Sequence, residues 1–118
     1  MADDGNPETE PVEDWEAISG WSSSPEYPSG LTAASTTAAR ILEHWFGEDT
    51  GFEVTVQAGG AGEEPSALTR EYDSFEQART EARNSRMYSG RHYEYSLRAS
   101  EQIGNNLAPL VLLEMGQE

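Results

Sequence analysis

Two short stretches hold the side chains with the most chemical capability. In Ser85-Arg86-Met87-Tyr88-Ser89-Gly90-Arg91-His92, a hydroxyl, a guanidinium and an imidazole gather around an expected helix end. Arg86 offers a planar fork of donors suited to a tetrahedral oxyanion. His92 can act as a nucleophile or as a ligand to a metal oxyanion. The second stretch, Pro28-Ser29-Gly30, directly precedes a helical pattern. At such a place free backbone N–H groups and the helix dipole favour an anion, and glycine lets the backbone approach it closely. Each stretch also has an ordinary reading: a loop with a serine near a helix start, and a helix end with dipole-favoured basic residues.

The elements that must position these groups follow from the apolar spacing. Leu31, Ala34, Ala38, Ile41, Leu42 and Trp45 recur every three or four residues, which predicts an amphipathic helix over residues 31–46, ending near Gly47. Phe52 to Val56 alternates apolar and polar residues, enough for one short strand or an extended arm, and Gly59 to Pro65 reads as a flexible loop. Ser74 and Gln77 form a capping-box pattern that opens a second helix over residues 75–88, and Gly90 is its natural stop. His92 to Tyr95 reads as extended, with Ser96 capping a third helix over residues 97–113. Leu97, Ile103, Leu107, Leu110 and Val111 form the expected buried side of that helix, and Pro109 is expected to kink it or end it early. The fold class is therefore mainly α, a partial helical bundle with long loops. Its apolar faces are wide enough to need more partners than three helices supply.

The charge balance narrows the choice of partners. The chain has 118 residues and a net charge of -15, and all seven basic residues are arginines; there is no lysine. Phosphate backbones and anionic lipids bind where Lys and Arg cluster on one face, so neither nucleic acid nor membrane is an expected partner. Acidic, lysine-free composition instead fits a protein adapted to high salt, or a merely acidic protein with a solvated tail. Residues 1–20 read as an acidic disordered tail, with 1–16 mobile because Val12 and Trp15 are their only large apolar side chains; residues 21–118 form the folded part. Without cysteine there is no disulfide framework and no thiolate metal site. Met-Ala-Asp-Asp lacks the features of a secretory signal, and the aliphatic run Leu110 to Leu113 is too short to span a bilayer, which predicts a cytoplasmic protein without membrane insertion.

Taken together, the two stretches resemble the superfamily of vanadium-dependent haloperoxidases and type-2 phosphatidic acid phosphatases. That superfamily is marked by KxxxxxxRP, then PSGH, then SRxxxxxHxxxD. Pro28-Ser29-Gly30-Leu31 stands where PSGH belongs, and Ser85-Arg86, His92 and Ser96 follow the spacing of the third motif. The flanking Glu26-Tyr27, Tyr72-Asp73-Ser74-Phe75 and Met87-Tyr88-Ser89-Gly90 look like the soluble haloperoxidase branch, so the likeness covers about residues 21–113. The resemblance implies a haloperoxidase-like helical bundle holding an oxyanion pocket. Ser29, Gly30, Ser85 and Arg86 would bind a phosphate or vanadate anion, and His92 would attack phosphorus or ligate vanadium. In peroxidase members the vanadate cofactor is a Lewis acid rather than an electron carrier.

The sequence departs from that pattern in three places. The first motif is missing, since it needs a lysine and an Arg-Pro pair. The family's acid–base histidine is Leu31, which cannot transfer a proton and is expected to pack at the start of its helix; such a loss costs roughly 10²- to 10⁴-fold in rate. His44 is no replacement, lying about 20 Å along the same helix at the usual rise per residue. Ser96 occupies the aspartate position, and Glu94 would share the side of His92 in an extended segment and could supply the missing charge. The expectation is a degenerate or truncated member that keeps part of an oxyanion site and is inactive alone. One alternative is a subunit of a split haloperoxidase or acid phosphatase, completed by a second chain with the first motif. The other is an acidic, halophilic interaction protein without anion chemistry.

Overall fold

A computed structural model of the chain describes residues 6–8, 10, 14, 16, 23–58 and 66–116. The expected flexible loop at 59–65 and most of the expected tail at 1–20 lie outside the described residues. Three helices and one hairpin follow in the order α1 (Gly30–Phe46), β1 (Phe52–Ala58), β2 (Ser66–Tyr72), α2 (Phe75–Tyr88) and α3 (Glu94–Glu114). The mainly α expectation holds.

The local signal for α2 works as expected, and α1 has a cap that its spacing did not announce. Ser29 caps α1, its side chain accepting from the Thr32 N–H, and Ser74 caps α2 by accepting from the Gln77 N–H at 3.1 Å. The Gln77 side chain returns to the Asp73 N–H at 2.6 Å, which completes the reciprocal pattern one residue further out. At the other end of α2, the Gly90 N–H reaches the Met87 carbonyl and the Arg91 N–H reaches the Arg86 carbonyl, with Gly90 at φ 68°. This double closure needs a left-handed residue, which glycine adopts without a Cβ penalty.

The packing faces of α1 and α3 differ from those expected, although Leu97 is buried as expected. α1 buries Thr32, Thr36 and Ala39, while Leu31, Ala34, Ala38, Leu42 and Trp45 are exposed. α3 buries Ser96, Leu97, Ser100, Gly104 and Ala108, while Ile103, Leu107 and Leu110 are exposed. Leu31, expected to pack, is 51 % exposed. The cause is the closeness of the two helices. A Cβ added at Gly104 would lie 2.5 Å from Thr36 Cβ and 2.7 Å from the Ala33 carbonyl oxygen. Only hydroxyl-bearing and small side chains fit between backbones this near, so Ile103, Leu107 and Leu110 point outward, whereas Leu97, near the start of α3, is fully buried.

α3 also starts earlier and ends later than expected. Tyr93 is its N-cap, so Glu94 and Tyr95 are helical rather than extended, and Ser96 lies inside the helix rather than capping it. The Tyr93 N–H is satisfied from a distance by the Glu26 carboxylate at 2.7 Å. Pro109 neither ends nor shortens the helix, which continues to Glu114. Pro109 and Asn105 are both exposed, so the Asn105 carbonyl that loses its helical donor reaches water.

The single expected strand is one arm of an antiparallel hairpin, with Phe52 opposite Tyr72 and Thr55 opposite Thr69. β2 escapes the sequence reading because its side chains from Ser66 to Glu71 are all exposed and show no apolar face. The hairpin is anchored at one end, where the Phe52 ring stacks on Phe75 at 5.0 Å and lies 5.3 Å from Tyr72.

An alternating chain of charges ties the three helices together. Arg40 of α1 reaches Glu76 at 3.1 Å; Glu76 also binds Arg79; Arg79 reaches Glu101 of α3 at 2.5 Å. Arg83 continues it to Glu101 at 3.3 Å and to Glu94 at 2.6 Å, and Arg98 closes on Glu94 at 3.0 Å. Hydrogen bonds donated to Glu76 hold the Arg79 guanidinium well above its usual pKa, despite partial burial.

Candidate functional site

Residues 26–30, the turn after α2 and the first turn of α3 meet through one side chain, Glu26. Its main-chain carbonyl lies 2.6 Å from His92 Nδ1. Its carboxylate accepts from the Tyr93 N–H at 2.7 Å, from the Tyr95 hydroxyl at 2.9 Å and from the Ser96 hydroxyl at 2.9 Å. Burial pushes the Glu26 carboxyl up, but the bonds from Ser96, Tyr93 and Tyr95, with the field of His92, outweigh it and leave the pKa below the ordinary value. One turn further along α3, Ser100 Oγ accepts the Ser29 N–H at 2.7 Å and donates to the Ser96 carbonyl at 2.7 Å. The sequence-predicted His92 and Ser29 are thus linked to one another through α3.

His92 is buried, at 8 % exposure. A carbonyl oxygen only accepts, so Nδ1 carries the proton in this bond, and Nε2 of the neutral ring keeps a free lone pair. The expected help from Glu94 is absent: its carboxylate is taken by Arg83 and Arg98, whose hydrogen bonds lower its pKa. A charge does stand beside His92, but it comes from Glu26.

Ser29 is fully buried and its groups are engaged: the N–H by Ser100, the hydroxyl by Thr32. The Ser29 N–H that was expected to face an anion is therefore already used. The Thr32 and Ala33 N–H groups are satisfied by Ser29, which leaves those of Gly30 and Leu31 as the open donors of α1 among the described residues. Among the described residues nothing lies within 4 Å of a Cβ built at Gly30, and Gly30 and Leu31 are both exposed. Ser85 is exposed on α2, donates to the Ala82 carbonyl at 2.7 Å, and lines a shallow depression with Gln77, Thr80, Glu81, Asn84 and Tyr88.

Arg86 differs from the arginines of the charge chain. Its Nε is buried and has no hydrogen-bond partner among the described residues. Burial lowers the pKa of its guanidinium, and the nearby positive charge of Arg91 lowers it further. Both effects disfavour a cation, and an anion held at this position would oppose both. His44 is exposed and makes an edge-on contact with the Trp45 ring, as a surface side chain would. Among the described residues no group of three or more His, Cys, Asp or Glu side chains gathers to hold a metal ion. No helix among them is long and apolar enough to cross a membrane.

Sequence reasoning missed Glu26 and Ser100 as parts of this arrangement. Glu26 stood within the matched stretch, but its partners are 66 to 70 residues away and no local spacing announces them. For Ser100, the only signal was the small-residue series Ser96, Ser100, Gly104 and Ala108 at four-residue intervals.

Helices packed through small residues, with Arg86 in the last turn of α2 and His92 just before α3, define a helical-bundle domain. The family model for the VCPO second helical-bundle domain matches residues 1–117. The chain belongs to this family. Among solved structures, that of the first bacterial vanadium-dependent iodoperoxidase aligns with a TM-score of 0.68 and 30 % identity, over 83 % of this chain and 23 % of that one. A holo-type bacterial vanadium-dependent chloroperoxidase aligns with a TM-score of 0.64 and 19 % identity, over 82 % of this chain and 22 % of that one. At that identity the second likeness concerns the fold alone. The chain thus spans less than a quarter of the length of these structures. No curated protein sequence matches it significantly.

Proposed function

We propose that this chain is the carboxyl-terminal part of a vanadium haloperoxidase-like domain that keeps one side of a phosphate or vanadate site and has no catalysis of its own. The observation that carries this reading is the buried Nε of Arg86, which has no hydrogen-bond partner among the described residues. A buried donor without an acceptor is costly, and a tetrahedral anion would satisfy it. Gly30 and Leu31 at the start of α1 supply further donors, and His92 Nε2 supplies the lone pair.

The residues present fit one side of such an anion, and the other side lacks its cations because the chain has no lysine and no Arg-Pro pair. When bound in a complete site, vanadate supplies a Lewis-acidic centre for peroxide. In this chain Arg86 would neutralise anion charge, the helix donors would orient it, and His92 would bind through Nε2. Leu31 leaves no group to move a proton at the second-motif position.

A second reading, that of a split enzyme completed by another chain bearing the first motif, is favoured by the exposed stripe of Leu31, Leu42 and Trp45 on α1. Patches of this kind generally mark surfaces that another element covers. The acidic, halophilic interaction protein becomes the leading account if no anion binds.

Titration with phosphate in high salt, followed by NMR of the His92 imidazole, tests the site. A saturable shift with an affinity of about 1 mM, near -4 kcal/mol, is expected. Arg86→Ala should abolish it. An unmoved His92 signal, or one that still shifts in Arg86→Ala, would refute the site.

A further inference from the structure

We propose that the Glu26 carboxylate is a positioning residue that fixes the ring tautomer of His92. The proposal deepens the reading of His92 as an anion-facing group, by naming what decides which of its nitrogens is free. Three observations converge on it. First, the main-chain carbonyl that accepts from His92 Nδ1 belongs to Glu26 itself. Second, the side chain of the same residue is bound by three donors from the first turn of α3, the Tyr93 N–H and the hydroxyls of Tyr95 and Ser96. Third, His92 directly precedes Tyr93, the N-cap of that helix.

One residue thus grips the start of α3 with its side chain and the histidine just before it with its backbone. The geometry of the Nδ1 bond therefore depends on how firmly residue 26 is docked. The same loop is also held by the Ser29 N–H bond to Ser100, three residues on, and by the Tyr27 ring, which stacks on Tyr95 at 6.1 Å, but neither of these touches residue 26. A short side chain at position 26 would leave the carbonyl in the chain but remove the fastening that aims it. The Tyr93 N–H would lose its acceptor at the same time.

The tautomer decides function at this site because only an unprotonated ring nitrogen can ligate or attack. With Nδ1 protonated and bound to the carbonyl, Nε2 is always the available atom. Without that bond both tautomers become populated, and Nε2 is free only part of the time.

The test is the ring nitrogen-15 spectrum of His92 in the anion-free protein, at a pH where the imidazole is neutral and in high salt. Wild type should show protonated Nδ1. Glu26→Ala should move the tautomer ratio toward protonated Nε2 by about fivefold, the size expected from one lost neutral hydrogen bond. Glu26→Gln, which keeps an acceptor for Tyr93, should stay near wild type. The exposed His44 serves as the internal reference and should be the same in every variant. If Glu26→Ala loses its helical dichroism, Tyr95→Phe and Ser96→Ala, each removing one donor, take its place and should shift His92 in the same direction. A wild-type ratio in the folded Glu26→Ala protein, or in both substitutes, overturns the proposal. Because no anion is present, failure here is distinct from failure of the phosphate titration.

Discussion

Gly104→Ala probes the interface on which the fold depends. In an isolated helix this change is favourable by about 1 kcal/mol, because alanine has the higher helix propensity. Here the new Cβ would sit 2.5 Å from Thr36 Cβ, 2.7 Å from the Ala33 carbonyl oxygen and 2.9 Å from Thr36 Cγ2. Carbon atoms pack best at about 3.5–4.0 Å, so the overlap is on the order of 1 Å. Two of the three obstructing atoms cannot move without moving α1 itself, since one is backbone and the other is a Cβ. Overpacking of this kind costs about 1–3 kcal/mol and sometimes more, and with rigid neighbours the upper end applies. The net loss expected is about 2 kcal/mol, or roughly 8–16 °C in Tm for a domain of this size. Of the three obstructing atoms Thr36→Ala removes only Cγ2, so it should not rescue the variant. Thermal unfolding followed by helical dichroism measures the effect. A Tm for Gly104→Ala equal to or above wild type would refute the account of the small-residue interface.

Three further outcomes are expected. Thermal midpoints should be higher in 2 M than in 0.1 M KCl, because salt screens the self-repulsion of a chain of net charge -15 over a Debye length of about 10 Å at 0.1 M or less; equal midpoints would remove the halophilic reading. The Glu76 pKa is lowered, by the Arg79 hydrogen bonds first, from the model-compound value of 4.5. Such a group stabilises the fold above its unfolded pKa and loses that contribution as pH falls through the folded value, so Glu76→Gln should flatten the fall in Tm below about pH 4.5; an unchanged acid limb would argue against it. Neither the purified chain nor Leu31→His should hydrolyse p-nitrophenyl phosphate or brominate a phenol dye with vanadate and peroxide, since the first-motif cations are missing in both. Turnover that disappears on His92→Ala would contradict this.

Much of the chain's organisation was legible because it rests on short-range chemistry. The Ser74 cap and the Gly90 closure each join residues no more than five positions apart. The two half-motifs were legible for the same reason, as residue types at fixed spacing. The inward faces of α1 and α3 were misread because hydrophobic periodicity assumes that the largest apolar side chains face the nearest neighbour. Here the nearest neighbour comes so close at Gly104 that only Thr36 and the Ala33 backbone fit against it. β2 was missed because an exposed hairpin arm is held by its ladder and not by an apolar face.

The sequence by itself determined the helix-forming segments, the absence of lysine, the leucine at position 31, and the family pattern around Ser29, Arg86 and His92. Tertiary structure alone decided that Glu26 holds the start of α3, that Ser100 uses the Ser29 N–H, that Glu94 serves Arg83 and Arg98 instead of His92, and that Arg86 Nε stays unpartnered among the described residues. The physical reason is the range of the forces involved. Caps and turns are settled by neighbours along the chain, whereas the partner of a carboxylate or guanidinium is whichever donor or acceptor the packed backbone brings within about 3 Å.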